Sequence, residues 1–267
     1  MIHRHLRLYI VLFLLSLIGL SNAAPVQAAV VVGSGTPASC TSAALQTAIN
    51  SGDSLITFDC GANPVTIAVT TTLQVTMSNA SVSTTLTIDG DNKVTLDGQQ
   101  SRRILFHNSW AYRATTLTLR EMVLANGRVS GAGTAANGAA IQSINNSIDG
   151  STYDPILNLE NVTLLNNYAI LTSAPSGNTY DYGGAVYSLG GQVNVTNSTF
   201  SGNQGQNSSG SALHILQSGL SITGSTFSNN IAGGQGGAIY IDGINPTNLA
   251  NITDSTFTGN RSYDSGG

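Results

Sequence analysis

The sequence predicts an all-β protein whose short parallel strands are stacked coil upon coil, a β-solenoid, preceded by one short helix. Two observations carry this. The first is a repeat: written in register, the second half of the chain reads "LNLENVTLLNN", "VNVTNSTFSGN", "LSITGSTFSNN" and "ANITDSTFTGN". Its apolar phase residue is Leu164, Phe200, Phe227 and Phe257, at intervals of 36, 27 and 30, with Leu124 of "LTLREMVLANG" as an earlier copy. Self-similarity at such a period is the mark of stacked supersecondary units. The second is composition. Hydrophobic residues make up 41% of the chain and charged residues 8%, so there is apolar surface for a core, while charge falls well below the roughly 25% of ordinary domains.

The elements follow in order. Residues 1–28 combine His3, Arg4, His5 and Arg7, the apolar run Leu8 to Leu20, and small residues ending at Ala28. This reads as a signal peptide, cleaved after Ala28 or after Ala23. An uncleaved anchor is the alternative, but the run is short of the roughly 20 residues that cross a bilayer. No later segment is long and apolar enough to span, so the exported chain is expected to have no spanning membrane segment. Removing Arg4 and Arg7 leaves seven basic residues against thirteen acidic ones, which gives no basic face for nucleic acid.

Residues 29–75 form the next unit. Ala44, Leu45, Ala48 and Ile49 recur at helical spacing, "NSGD" stops the helix, and "LITF" follows as a strand. Cys40 and Cys60 bracket this stretch. An even pair in an exported chain reads as a disulfide. A catalytic or metal-binding thiol is the competing reading, and it lacks partners, since only His107 and His214 remain after residue 28.

Residues 76–267 supply the coils. Each repeat offers three short strands, for example "LSIT", "STF" and "AIYI", while corners of unequal length, "YAILTSAPSGNTYDY" against "QGQNSS", absorb insertions. Alternation turns Phe227, Ile239 and Ile241 inward. Glycine pairs such as Gly236 and Gly237 suit tight corners. Asn167, Asn203, Asn230 and Asn260, each three residues after a phase residue, are expected to stack as an asparagine ladder between coils. The competing arrangement, an antiparallel two-sheet sandwich, gives no reason for "S-T-F-x-x-N" to recur once per period. The chain ends in "DSGG" where the pattern continues "GGAI", so further coils are expected beyond Gly267.

The recurrent "GGA" followed by Val186 or Ile239, and the "F-x-x-N" of Phe200–Asn203, Phe227–Asn230 and Phe257–Asn260, resemble the repeats of polymorphic outer membrane proteins. The opening "C...AALQTAI...ITFDC" with "LTIDGDNKVTLDG" resembles the N-terminal cap and first coils of secreted right-handed β-helix proteins of the pectate-lyase-like superfamily. Together the resemblances cover roughly residues 38–267. They imply a right-handed, single-stranded parallel β-helix with an N-terminal capping helix, placed at an extracellular or outer-membrane surface.

The motifs say much about architecture and little about chemistry. Asp89, Asp91 and Asp97 of "DGDNKVTLDG" offer oxygen ligands of the kind Ca²⁺ takes, with Lys93, Arg102 and Arg103 near in sequence; "DG" and "DGDN" are equally ordinary turn sequences. No other cofactor is indicated. His107 and His214 lie in "LFHNS" and "ALHIL" without a "GxSxG" elbow, and His214, alternating with Leu213 and Ile215, is expected to face solvent. Sequons at Asn161, Asn194, Asn197 and Asn251 follow from Asn and Thr richness. The long corner carries Tyr168, Tyr180, Asp181 and Tyr182, aromatic platforms and a carboxylate for a sugar or protein partner, and another corner carries Tyr153 and Asp154. The expected function is a noncatalytic, adhesin-like surface or secreted module whose partner is a surface glycan or a host or neighbour-cell protein. The alternatives are a polysaccharide lyase or glycoside hydrolase acting on an acidic glycan, and a passive structural stalk.

Overall fold

The structure, a computed structural model, describes residues 29–76, 85–109, 115–145, 155–173, 182–243 and 249–266. The proposed signal segment, Tyr153, Asp154, Tyr180 and Asp181 lie outside the described residues. Strands dominate, and the strand pairings among the described residues are parallel, in a 17-stranded and a 5-stranded sheet.

Four ladders run along the stack, not three. The first climbs from Leu73–Thr76 through Leu105–Ser109 and Ile141–Asn145 to the opening halves of Val186–Thr196 and Leu213–Thr223, and ends at Ile239–Asp242. The second starts with Ala29–Gly33 on Leu55–Asp59 and reaches Ala250–Thr253. The third joins Val65–Ala68 to Thr256–Thr258 by way of Thr163–Leu165, Thr199–Ser201 and Thr226–Ser228. The fourth is the separate sheet: Arg128–Ala132, Tyr168–Ser173, Gln204–Gln206, Ile231–Ala232 and Arg261–Ser262. The sequence pattern consigned this fourth ladder to corners. Its inward column is Val129, Ala169, Gly205 and Ala232, too small to produce the large apolar alternation by which a strand is recognised.

Alternation places one apolar column inside each of the other ladders. In the third it reads Ile67, Leu96, Leu124, Leu164, Phe200, Phe227 and Phe257. Phe200 and Phe227 are fully buried, and successive rings stack nearly parallel at 4.6 and 4.8 Å. That spacing equals the inter-strand distance of about 4.8 Å, so identical side chains on successive coils meet face to face. Phe257 belongs to the same column but remains 44% exposed, being covered by Phe227 on one side only. In the second ladder the column runs Ile56, Ile88, Leu119, Leu159, Val195, Ile222 and Ile252.

The corners explain the motif "x-S-T-F-x-x-N". Between the second and third ladders Asn161, Asn197, Gly224 and Asp254 hold φ of 53°, 48°, 62° and 50°, a left-handed turn that Asn, Asp and Gly tolerate best. Val162 follows Asn161, and after the other three comes a serine whose hydroxyl reaches the neighbouring coil: Val162 N–H donates to Ser198 Oγ (3.0 Å), Ser198 N–H to Ser225 Oγ (3.1 Å) and Ser225 N–H to Ser255 Oγ (3.1 Å). After the third ladder the device recurs. Asn166, Gly202, Asn229 and Gly259 are left-handed, and Asn167, Asn203, Asn230 and Asn260 follow them. Each of the first three gives its amide N–H₂ to the Oδ1 of the next, at 3.0, 2.9 and 2.9 Å, and each of those accepting Oδ1 atoms also takes the backbone N–H of the asparagine before it. Asn167, Asn203 and Asn230 are buried without exposure. The turn exposes backbone N–H groups inside the stack, and the amide satisfies them.

At the N-terminal end, the helix Ser42–Asn50 begins with Thr41 accepting the Ala44 N–H at 3.1 Å and buries Leu45 and Ala48. Its Gln46 amide donates to Gln74 O (3.0 Å) and accepts from Gln74 N–H (2.7 Å). One side chain thus replaces the backbone partner a further strand would give Leu73–Thr76. Cys40 and Cys60 are joined in a disulfide.

Two stability predictions follow. Asn203→Ala removes the acceptor of Asn167 N–H and the side-chain donor to Leu164 O in a dry interior and is expected to cost about 3 kcal/mol, against about 1 kcal/mol for the half-buried Asn260→Ala; urea denaturation midpoints measure both. Replacing Cys40 and Cys60 by Ala releases a 20-residue loop and is expected to cost about 3 kcal/mol, visible as a lower thermal midpoint that reductant reproduces in the unmodified chain.

Candidate functional site

The fourth ladder faces outward with a column of Arg128, Tyr168, Gln204, Ile231 and Arg261, one residue per coil. Tyr168 therefore stands in a strand and not in a loose corner. Its ring lies under the Arg128 guanidinium at 5.4 Å, and its hydroxyl donates to Gln206 Oε1 at 2.6 Å. Arg261 sits over Tyr263 at 4.6 Å. A shallow cavity of about 380 Å³ opens between these tyrosines, lined also by Gln204, Gln206 and Asn207. Tyr182 is elsewhere, at the entry to Val186–Thr196, its carbonyl accepting Ser209 N–H at 3.1 Å. Of the tyrosines expected from sequence to form a binding site, Tyr168 lines this cavity.

A larger cleft, about 710 Å³, adjoins Arg128 on its other side, between the outer surface of the first ladder and the 3₁₀ turn Gly133–Ala136. Arg102, Arg103 and Arg128 line it with Phe106, Gln142 and Tyr187. Arg128 N–H donates to Arg102 O at 2.9 Å, which joins the two residues across successive coils. Arg103 is clamped: its Nε donates to Gly138 O at 3.0 Å and its Nη2 to Asn137 O at 2.7 Å. Burial lowers its pKa to about 10. Arg102 binds the Thr70 carbonyl and Ser101 Oγ. Sequence reasoning noticed Arg102 and Arg103 only beside the nearby aspartates, and no local signal links them to Arg128, 25 residues further on.

The aspartates are engaged separately. Asp89 binds Arg120 (2.5 Å), Asp91 binds Lys93 (2.6 Å) and Asp97 accepts the Gln99 N–H (2.8 Å) as a turn. No group of three or more His, Cys, Asp or Glu side chains gathers in ligand geometry among the described residues.

Both described histidines are buried. His107 points into the core, with Nδ1 2.9 Å from Ser143 Oγ and Nε2 3.1 Å from Thr115 Oγ1. His214 corrects the expectation of solvent exposure. Alternation does turn it away from Leu213, but it lies fully buried between the rings of Tyr187 and Tyr240, each 5.1 Å away. Its Nδ1–H donates to Ser209 O at 3.0 Å, because the chain before Leu213 folds over the outer face. Aromatic stacking between coils covers an outward column that alternation alone assigns to water.

The whole describes a parallel β-helix repeat protein. Its repeat is similar to a known one: residues 224–242 match the Chlamydia polymorphic membrane protein repeat. The matched segment starts at left-handed Gly224, includes Ser225, Phe227 and Asn230 of the stacked columns, and ends with Ile239–Asp242. Comparison with curated proteins and with solved structures gave no match. No helix among the described residues is long and apolar enough to cross a membrane.

A pH prediction comes from the histidines. Burial lowers the pKa of both His107 and His214 to about 4, for His214 against smaller opposing effects of the Ser209 carbonyl and Asp242. The unfolded chain takes up these protons near 6.5, so the native state keeps its full stability above that pH and loses it as pH falls from 6.5 toward 4. The loss at pH 4 is on the order of 3 kcal/mol per histidine. Thermal midpoints from pH 7 to pH 4 should fall less steeply for His214→Gln than for the unmodified chain.

Proposed function

We propose that the chain is an exported, adhesin-like binding module: a right-handed, single-stranded β-helix, capped at its first coil by the helix Ser42–Asn50, that displays its fourth ladder toward a surface glycan or a protein of a host or neighbouring cell. The observation that carries this reading is the outward column Arg128, Tyr168, Gln204, Ile231 and Arg261. Inward residues of that ladder are small, Val129, Ala169, Gly205 and Ala232. Apart from Ile231, the outward ones are aromatic, amide and guanidinium groups, the types that make contacts at recognition surfaces, and they repeat at the coil spacing on a rigid support. The polymorphic membrane protein repeat matched by residues 224–242 supports display at an outer surface. The helix supports a capping role because Gln46 occupies the hydrogen-bonding edge of Gln74.

The test is adhesion of beads coated with the exported chain to epithelial and bacterial cells. The Tyr168→Ala, Tyr263→Ala double variant, with an unchanged melting curve, is expected to reduce bead adhesion about 10-fold or more. Equal adhesion by the variant removes the fourth ladder from the reading, and absence of adhesion by the unmodified chain favours a passive stalk.

A further inference from the structure

We propose that the cleft lined by Arg102, Arg103 and Arg128 is a binding site for an anionic sugar segment, one carrying carboxylate or sulfate groups. This deepens the binding-module reading by naming a ligand class for a place beside the fourth ladder.

Charge distribution is the first argument. Seven basic residues follow residue 28. Of the described ones, Lys93 and Arg120 are ion-paired, with Asp91 and Asp89. Arg102, Arg103 and Arg128 instead share one cleft, whose described lining contains no carboxylate. Acidic residues outnumber basic ones nearly two to one in the exported chain, so their exclusion from this lining leaves a positive pocket on a negative protein. Like charges brought together without a counter-charge raise the energy of the site, and an anion relieves it.

Preorganisation is the second. Arg103 is held by two carbonyls, Arg102 by one carbonyl and a hydroxyl, and Arg128 by the face of Tyr168. A guanidinium has five N–H donors in a planar fork, so each retains donors after these bonds are made. Ordering has been completed before any ligand arrives, which favours binding.

The remaining lining selects a sugar. Ser130, Thr134 and Gln142 add neutral donors and acceptors, and Phe106 and Tyr187 add aromatic surface. Hydroxyl-rich, ring-shaped ligands use both kinds of contact. The volume, about 710 Å³, falls in the range of small-ligand sites and suits a few sugar rings.

Isothermal titration calorimetry of the exported chain tests this with four probes: a galacturonic acid oligomer, a heparin-derived oligosaccharide, neutral maltohexaose and a poly-glutamate peptide. Binding is expected for the carboxylated oligomer, the sulfated one or both, identifying the anionic group read. Affinity should fall as NaCl rises. Arg102→Gln and Arg128→Gln should each weaken it about 10-fold or more. Arg128→Lys, which keeps the charge and loses the fork, should fall between. Failure of both anionic sugars to bind overturns the proposal, as do equal binding of maltohexaose, tighter binding of poly-glutamate, and affinity unchanged in both glutamine variants. If the anionic sugars fail while coated beads still adhere to cells in a Tyr168-dependent way, the cleft assignment falls and the surface-module reading stands.

Discussion

Register is the constraint on which everything else in this molecule depends. Because successive coils pair in parallel at one strand spacing, each residue sits directly over its counterpart one coil away. A side chain is therefore stable only if it is compatible with another of its own kind above and below. Phenylalanine meets this by stacking, as Phe200, Phe227 and Phe257 do at 4.6 and 4.8 Å. Asparagine meets it because one amide donates where the next accepts. Charged residues fail it, since like charges would lie within about 5 Å of each other, and this accounts for a chain with only 8% of them.

The same constraint orders the corners. A left-handed residue turns the chain by a fixed angle, and the serine or asparagine after it bonds the backbone of the adjacent coil. Were one coil to slip by a residue, both the apolar column and the polar ladder would be lost at once. Corner length, by contrast, is unconstrained where the chain leaves the stack, and intervals of 36, 27 and 30 residues coexist with unbroken columns. The surfaces proposed for recognition are the outer face of the fourth ladder and the cleft at its side.

Where the stacked column breaks the rule of like upon like, the break is informative. The inward column holding His107 contains Ser143 and Ser188 on succeeding coils. That polar patch inside the helix is satisfied by hydroxyl bonds to the imidazole and between Ser188 and Ser218. In the outward column Tyr187, His214 and Tyr240 form a covered aromatic stack. His107 bonds Ser143 and Thr115, His214 bonds the Ser209 carbonyl, and each lies out of contact with solvent, so their effect is on stability and its dependence on pH.

The sequence by itself determined the all-β parallel stack and the position of its apolar columns, because strand interiors write large residues at fixed phase and corners write Gly, Asn and Ser. It also indicated the Cys40–Cys60 pairing and the helix between them, which are local in the chain. The tertiary structure alone decided the fourth ladder, whose inward Ala169, Gly205 and Ala232 leave no apolar signature, the burial of His214, which depends on rings from two other coils, and the meeting of Arg102 and Arg103 with Arg128. Each of these rests on contacts between coils. A linear pattern records what a residue is, while the lengths of the intervening corners fix what it comes to lie beside.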